Sequence, residues 1–380
     1  MSTPSGRAAS DRAATHLAAA NSAARAAAPQ TSDLRVRGFQ PLVAPAVLRG
    51  ELPLGPDRAA LVADSRAAVD DVLAGRDDRL LLVVGPCSVH DPAAASDYAR
   101  RLAAAAAPLA DDLLVVMRVY FEKPRTTVGW KGLINDPHLN GTHDIETGLR
   151  LARRVLLDVL DTGLPVGCEF LEPLSPQHIA DAVSWGAIGA RTTESQVHRQ
   201  LASGLSMPIG FKNSTDGDLG GAIDGCRSAA GEHTFFGVDE DGRASIVSTS
   251  GNPDCHIILR GGRGGPNYGP ADVRDALALL AKHDMPERLV VDASHANSGK
   301  DHVRQAEVVR ELGDRIALGE RGIAGLMIES FIEPGRQEPA PLDTLVYGQS
   351  VTDACVGWDE TERLLGELAA AVRRGRERRA

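Results

Sequence analysis

Eight short apolar runs in this chain are each followed by a side chain that could do chemistry. The residues at these run ends are Cys87, Arg118, Glu169, Arg191, Lys212, Arg260, Asp292 with His295 nearby, and Glu329. The guanidinium of Arg offers a planar fork of donors that suits phosphate or carboxylate, whereas Lys supplies a compact charge. If these side chains converge in one cavity, they form an anion-binding site that also contains metal-ligating groups.

Runs of this kind are typical of the strands of a (β/α)8 barrel, and we predict that α/β fold, the TIM barrel. Its parallel strands are almost continuously apolar, because helices cover one face of the sheet and side chains fill the interior. Its active site lies at the carboxyl ends of the strands, where these residues stand. Helices are expected between the runs, at 93–107, 145–162, 176–185, 194–203, 271–283 and 300–312, with a final helix at 359–373.

The chain is expected to comprise an arm, an extension and a barrel. Residues 1–30 are rich in Ala and low in complexity, which predicts a disordered arm. Residues 31–78 form an N-terminal extension, and residues 79–380 form the barrel. Near 233–250, two strand-like runs flank Asp241-Gly242, a strong hairpin signal, so we expect a β-hairpin inserted in the barrel.

The overall composition excludes several classes of protein. A formal net charge of −10 argues against nucleic-acid binding, which usually requires a basic balance. No apolar stretch approaches the ~20 residues that a membrane helix needs, so no membrane association is expected. The five cysteines are odd in number and widely spaced, which does not suit a disulfide framework and favours a reduced, cytoplasmic setting.

Two groups of side chains define the predicted chemistry. The cationic group is Arg118, Lys123, Arg125, Arg191, Lys212 and Arg260. So many converging cations require several anions, such as two phosphates and a carboxylate, although each one alone could be an ordinary surface ion pair. The second group is Cys87, His295, Glu329 and Asp353. One thiolate, one imidazole and two carboxylates suit a divalent ion of intermediate softness, Mn, Co, Fe or Zn, although Cys87 alone could be a small buried hydrophobe.

Several long motifs then resemble one family, the type I 3-deoxy-D-arabino-heptulosonate 7-phosphate (DAHP) synthases, in their feedback-regulated form. The motifs are GPCSVHDP at 85–92, MRVYFEKPRTT at 117–127, GARTTES at 189–195, GFKN at 210–213, DASHANS at 292–298 and TDAC at 352–355. The resemblance runs from about Asp33 to the C-terminal helix. It implies an enzyme that condenses phosphoenolpyruvate with D-erythrose 4-phosphate and water, the first step of the shikimate pathway.

The resemblance also implies a role for each site residue. The positions of Cys87, His295, Glu329 and Asp353 hold the divalent metal in that family. Those of Arg118, Lys123, Arg191, Lys212 and Arg260 bind phosphoenolpyruvate, and those of Arg125 and Thr126 receive erythrose 4-phosphate. Glu169 could orient or deprotonate the attacking water, and Lys123 could donate a proton on the aldehyde side.

Regulation is implied in the same way. In relatives, an N-terminal segment matching Asp33 packs on a neighbouring subunit and helps to form a pocket that senses an aromatic amino acid. Pro176, Gln177 and Ser206 match the walls of that pocket. The extension at 31–78 would then serve oligomerisation or regulation, and a homodimer or homotetramer is expected. The plainer interpretation is that these are ordinary turn and helix-cap residues retained from ancestry.

Two other functions stay open at this point. A sister synthase condenses phosphoenolpyruvate with arabinose 5-phosphate, but the run Lys123-Pro-Arg-Thr-Thr favours the four-carbon aldose. The chain could also be a noncatalytic, regulatory homologue that retains the barrel. The intact metal and phosphate residues argue against that alternative.

Overall fold

The computed structural model describes residues 29–125 and 129–379. The chain divides into two compact units, Met1–Leu42 and Val43–Ala380. Within the first unit, residues 29–42 contain a turn at Asp33 and neither a helix nor a strand. Most of the predicted Ala-rich arm at 1–30 lies outside the described residues.

The described part of the second unit contains ten strands. They are β1 (Leu80–Gly85), β2 (Leu113–Arg118), β3 (Val166–Glu169), β4 (Trp185–Ile188), β5 (Ile209–Lys212), β6 (His233–Val238), β7 (Ala244–Thr249), β8 (Cys255–Leu259), β9 (Leu289–Asp292) and β10 (Ile323–Glu329). All but β6 and β7 close a parallel barrel in the order β1-β10-β9-β8-β5-β4-β3-β2. The predicted (β/α)8 barrel is therefore confirmed. Strands β6 and β7 pair with each other as an antiparallel hairpin.

Helices alternate with the barrel strands. They are α1 (Pro45–Glu51), α2 (Pro56–Ala74), α3 (Pro92–Ala106), α4 (Ile145–Leu160), α5 (Pro176–Ile179), α6 (Gln196–Gly204), α7 (Gly220–Ala229), α8 (Pro270–Lys282), α9 (His302–Ala317) and α10 (Trp358–Glu377). Sequence signals fix several of their starts: the Asp91 side chain accepts from the backbone N–H groups of Ala93 and Ala94, and Asp301 caps α9 in the same way. None of the described helices combines the length and apolar character needed to cross a membrane.

The barrel interior explains why the site lies at one end only. Leu81 and Val83 of β1 belong to a buried cluster that also contains Val69 and Val72 of α2. Helix α2 therefore packs against the residues that fill the barrel. The interior is a solid core, so a ligand has access only at the carboxyl ends of the strands.

One predicted helix is too long, and one helix of the structure was not predicted. The helix expected at 176–185 is only α5, Pro176–Ile179, followed by a 3-10 turn at Ala180–Ala182, because β4 already begins at Trp185. The apolar residues just before Arg191 therefore include only the end of β4, which stops at Ile188. Helix α7 was not predicted, since glycines at its start weaken the helical pattern.

Candidate active site

Arg118 ends β2 and lies fully buried in the barrel. Its Nη2 donates to Glu329 Oε1 over 2.9 Å, its Nη1 donates to the carbonyl of Pro86, and its guanidinium lies 3.8 Å from the centre of the Tyr120 ring. A buried charge needs such partners, because desolvation would otherwise cost several kcal/mol. The contacts fix the plane of the guanidinium, while its Nε has no partner among the described residues.

Lys212 at the end of β5 is held by Asp292 at the end of β9. Lys212 Nζ lies 2.9 Å from Asp292 Oδ2, and His295 Nδ1 lies 2.8 Å from the same oxygen. The Ser294 backbone N–H donates to Asp292 Oδ1 over 2.9 Å. Burial alone would raise the pKa of Asp292, but Lys212 and His295 hold it well below its usual range. Asp292 is thus an anion shared by two candidate site residues.

Three of the four predicted metal ligands lie together. One ligand atom from each of Cys87, Glu329 and Asp353 falls within 4.8 Å of the others. The fourth, His295, stands at the edge of this group, with Nε2 3.9 Å from Glu329 Oε1. Burial and the charge of Glu329 raise the pKa of the Cys87 thiol. A thiolate here needs a compensating cation, so this donor set fits a divalent metal that displaces the thiol proton.

Lys123 lies directly over the Cys87 thiol. Its Nζ donates to the Cys87 carbonyl over 3.0 Å and approaches Cys87 Sγ at 3.2 Å. The charges of Lys300, His295 and Lys123 together outweigh burial and lower the pKa of Asp353. The amine of Lys123 therefore lies against the candidate metal ligands.

The remaining predicted residues occupy the rim. Glu169 ends β3 and is buried, and a Cβ on Gly189 would collide with its carboxylate. Arg191 is exposed, and Arg260 is partly buried. Burial lowers the pKa of Arg260, a shift that nearby Asp292 opposes and nearby Arg191 reinforces. The two arginines therefore lie near enough for the charge of one to affect the other.

Arg125 follows β2 along the chain, and its side chain is exposed. Its Nε donates to the Trp130 carbonyl over 2.7 Å, which fixes the side chain and leaves its terminal nitrogens for other acceptors. The neighbouring Thr126, predicted to bind the same substrate, lies outside the described residues.

Sequence reasoning did not assign Asp292, Tyr120 or Lys300 to the site. Asp292 was noted as a strand end, and its spacing of three residues before His295 was an available signal. Tyr120 and Lys300 carried no comparable signal. The contact of Lys300 with Asp353 joins segments that are remote in sequence, whereas Tyr120 packs against Arg118 two positions away.

Three of the four residues expected to sense an effector line a groove of about 1210 Å3. Pro176 and Gln177 at the start of α5 and Ser206 after α6 form part of its wall, and Phe235 and Val247 of the β6–β7 hairpin form another part. Asp33 belongs to the first unit of the chain, so it is described apart from this groove.

Comparisons with known proteins agree with this geometry. A family model described as the DAHP synthetase I family matches residues 56–366. A phospho-2-dehydro-3-deoxyheptonate aldolase of Corynebacterium glutamicum is 59% identical over 360 residues, which is 93% of this chain and 97% of the relative. The Phe-sensitive enzyme of Escherichia coli K12 is 52% identical over 344 residues, 90% of this chain and 98% of the relative.

Two further relatives extend the comparison. The Tyr-sensitive enzyme of Escherichia coli K12 is 52% identical over 338 residues, 89% of this chain and 95% of the relative. A solved structure of the aldolase from Francisella tularensis superimposes with a TM-score of 0.88 at 46% identity, covering 90% of this chain and 99% of that one. Each match covers nearly the whole length of the relative.

Proposed function

This chain belongs to the DAHP synthetase I family, and on that premise we propose that it condenses phosphoenolpyruvate with D-erythrose 4-phosphate and water. The products are 3-deoxy-D-arabino-heptulosonate 7-phosphate and phosphate, and the reaction is the first step of the shikimate pathway. The observation that carries the proposal is the contact of Arg118 with Glu329 and of Lys123 with Cys87, with Lys212 joined to this group through Asp292 and His295.

Phosphoenolpyruvate is the anion that five of the predicted cations bind. Its phosphate and carboxylate meet Arg118, Lys123, Arg191, Lys212 and Arg260. Arg118 is already oriented by Glu329 and Tyr120, and its Nε is without a partner in the described part of the chain. A pre-oriented guanidinium loses little freedom on binding, so positioning supplies much of the rate enhancement.

Erythrose 4-phosphate takes the outer end of the cavity. Arg125, anchored through Nε to Trp130, presents its terminal nitrogens to the phosphate, and Thr126 belongs to the same binding segment. In this proposal the aldehyde carbon faces the enol carbon of the first substrate.

Cys87, Glu329 and Asp353, with His295 as the fourth ligand, would hold a divalent ion, Mn, Co, Fe or Zn. When bound, such an ion polarises the aldehyde oxygen as a Lewis acid. Lys123 Nζ, within reach of the same ligands, donates a proton on the aldehyde side. Glu169 orients or deprotonates the water that adds to the substrate, since it is a buried carboxylate at the carboxyl end of β3.

The groove between α5 and the β6–β7 hairpin is the effector site of this proposal. The relatives named Phe-sensitive and Tyr-sensitive indicate an aromatic amino acid, and Pro176, Gln177 and Ser206 would contact it. Asp33 completes the site from a neighbouring subunit of a homodimer or homotetramer. The enzyme would act in the cytoplasm.

A coupled assay tests the function. Phosphoenolpyruvate is offered with a panel of aldose phosphates, with and without a chelator, to the wild type and to the variants Cys87→Ala and Cys255→Ala. We expect turnover with erythrose 4-phosphate, its loss on chelation and its return with Mn²⁺ or Co²⁺. The Cys87 variant loses activity while it stays folded, and the Cys255 control keeps it.

Three outcomes would contradict the proposal. Full turnover in excess chelator would exclude the metal centre. Preference for arabinose 5-phosphate would reassign the substrate. A folded, metal-replete protein without turnover would revive the noncatalytic alternative.

A further inference from the structure

Lys300 lies on the loop between β9 and α9, and its backbone is in the left-handed region with φ 65°. His295 (φ 53°) and Gly299 (φ 63°) on the same loop share that region. The Lys300 backbone N–H donates to the His295 carbonyl over 2.7 Å, so the loop closes on itself. Non-glycine residues persist in this conformation only where their surroundings enforce it, and such positions cluster at functional sites.

The side chain of Lys300 crosses from this loop to the C-terminal segment. Its Nζ donates to Asp353 Oδ1 over 3.0 Å. Asp353 is one of the three residues whose ligand atoms lie within 4.8 Å of one another. The ammonium therefore contacts an oxygen of the same carboxylate that a divalent ion would use.

We propose that Lys300 is a positioning residue that competes with the divalent metal for Asp353. This inference rests on the metal site of the proposed function. A carboxylate that accepts a hydrogen bond from an ammonium has less negative charge to offer a cation, and the two positive charges repel. Lys300 thus holds Asp353 in place and lowers the affinity of the site for the metal ion. A bound ion can then dissociate more readily.

The exposure of the pair limits the size of the effect. The Lys300 side chain is 55% exposed and that of Asp353 is 27% exposed. Solvent screens exposed charges, so we expect a moderate change in affinity and not the loss of the site. Because the bond to His295 uses the backbone, a substitution of the side chain leaves the loop closure intact.

The test measures the dissociation constant of Mn²⁺ on the full-length protein after removal of metal by a chelator. Lys300→Met keeps the length of the side chain and removes its charge, Lys300→Arg keeps the charge, and Lys282→Met is an exposed control in the last turn of α8. We expect the first variant to bind Mn²⁺ three- to tenfold more tightly. The other two should stay within twofold of the wild type.

A second background separates competition from a general structural effect. In Asp353→Asn protein, where the shared carboxylate is absent, Lys300→Met should no longer change the Mn²⁺ dissociation constant. Equal or weaker binding by Lys300→Met than by the wild type would overturn the proposal, as would the same gain in both backgrounds. If Cys87→Ala binds Mn²⁺ as tightly as the wild type, the assignment of the metal site is wrong. If Cys87→Ala weakens Mn²⁺ binding but Lys300→Met does not change it, only the proposed role of Lys300 is wrong.

Discussion

Asp292 shows how one buried side chain can organise several others. It is completely buried, and its carboxylate contacts Lys212 and His295 as well as the backbone and hydroxyl of Ser294. A carboxylate on Nδ1 of a histidine fixes the tautomer that leaves Nε2 free to bind a metal. In this structure Nε2 faces Glu329, which places His295 next to the proposed ligands.

The variant Asp292→Asn should therefore weaken metal binding without touching a ligand. Loss of such supporting partners usually costs 10- to 100-fold in affinity or activity, and we expect a loss of that size in the Mn²⁺ dissociation constant. Titration of the chelator-treated protein measures it, and Asp64→Asn on the exposed side of α2 is the control. Unchanged affinity would show that His295 needs no orienting anion.

Arg125 and Arg191 should separate the two substrates kinetically. A hydrogen bond to a charged group contributes about 1.5–3 kcal/mol, and both side chains are exposed, so the lower end of that range applies. Arg125→Ala should raise KM for erythrose 4-phosphate roughly tenfold more than KM for phosphoenolpyruvate. Arg191→Ala should show the reverse, and Arg227→Ala serves as an exposed control.

Steady-state kinetics with one substrate varied at a time decides this. If both variants affect both substrates equally, the two phosphate sites have been assigned wrongly.

At the scale of elements, the strands were easier to predict than the helices between them. The run before Arg118 is fully buried along β2, so its apolar composition marks the strand directly. The segment after Ser175 is different, because Pro176 favours a helix start but only one short turn fits before β4 begins at Trp185. The length of such a connection depends on how the next strand joins the barrel, which local sequence does not encode.

Glu122 lies in the connection after β2 and accepts hydrogen bonds from the connection after β3. It follows β2, is almost fully buried, and accepts hydrogen bonds at Oε2 from the Leu171 N–H and the Ser175 hydroxyl, both at 3.2 Å. Oε1 has no partner in the described part of the chain. Burial, with the charge of nearby Glu172, raises the pKa of Glu122 to about 8. The carboxyl is therefore neutral in the folded protein at neutral pH.

Glu122→Gln should stabilise the protein in a pH-dependent way. Below the ordinary Glu pKa of 4.5 the carboxyl is neutral in both the folded and unfolded states, so its ionisation does not change the free energy of unfolding. As the pH rises toward 8, only the unfolded chain ionises, and the folded state loses stability. The side-chain amide of Gln does not ionise, and its oxygen can still accept the hydrogen bonds from Leu171 and Ser175.

We expect the variant to raise the free energy of unfolding by about 3 kcal/mol at pH 7 and by little at pH 4. Urea unfolding at the two pH values measures the difference, with Glu362→Gln on the exposed face of α10 as the control. A gain of equal size at both pH values would mean that ionisation is not its cause.

At the scale of the whole molecule, the motifs name candidate residues, and the closed barrel decides which of them lie together. Cys87, Glu329 and Asp353 meet although 266 positions separate the first from the last in the sequence, because β1 and β10 are neighbours in the closed barrel. Barrel closure makes that meeting predictable. The crossing of Lys300 to Asp353 was not predictable, since it depends on a left-handed turn within one loop.

The division of the chain into two units leads to a prediction about regulation. No proposed catalytic residue lies in Met1–Leu42, whereas Asp33 of that unit is a proposed effector contact. If phenylalanine or tyrosine inhibits by binding a less active state better, removing that contact should remove the inhibition and spare catalysis. We therefore expect protein lacking residues 1–35 to turn over substrate at close to the wild-type rate. Neither phenylalanine nor tyrosine should inhibit it.

Protein lacking only residues 1–30 retains Asp33 and is the matched control, which should still be inhibited. Initial rates with increasing phenylalanine or tyrosine, measured for the full chain and both truncations, provide the comparison. Gln177→Ala, on the barrel side of the proposed contact, should weaken inhibition while residues 1–35 remain in place. Inhibition that survives the longer truncation, or its absence from the full chain with every aromatic amino acid, would refute the effector site and leave the catalytic assignment untouched.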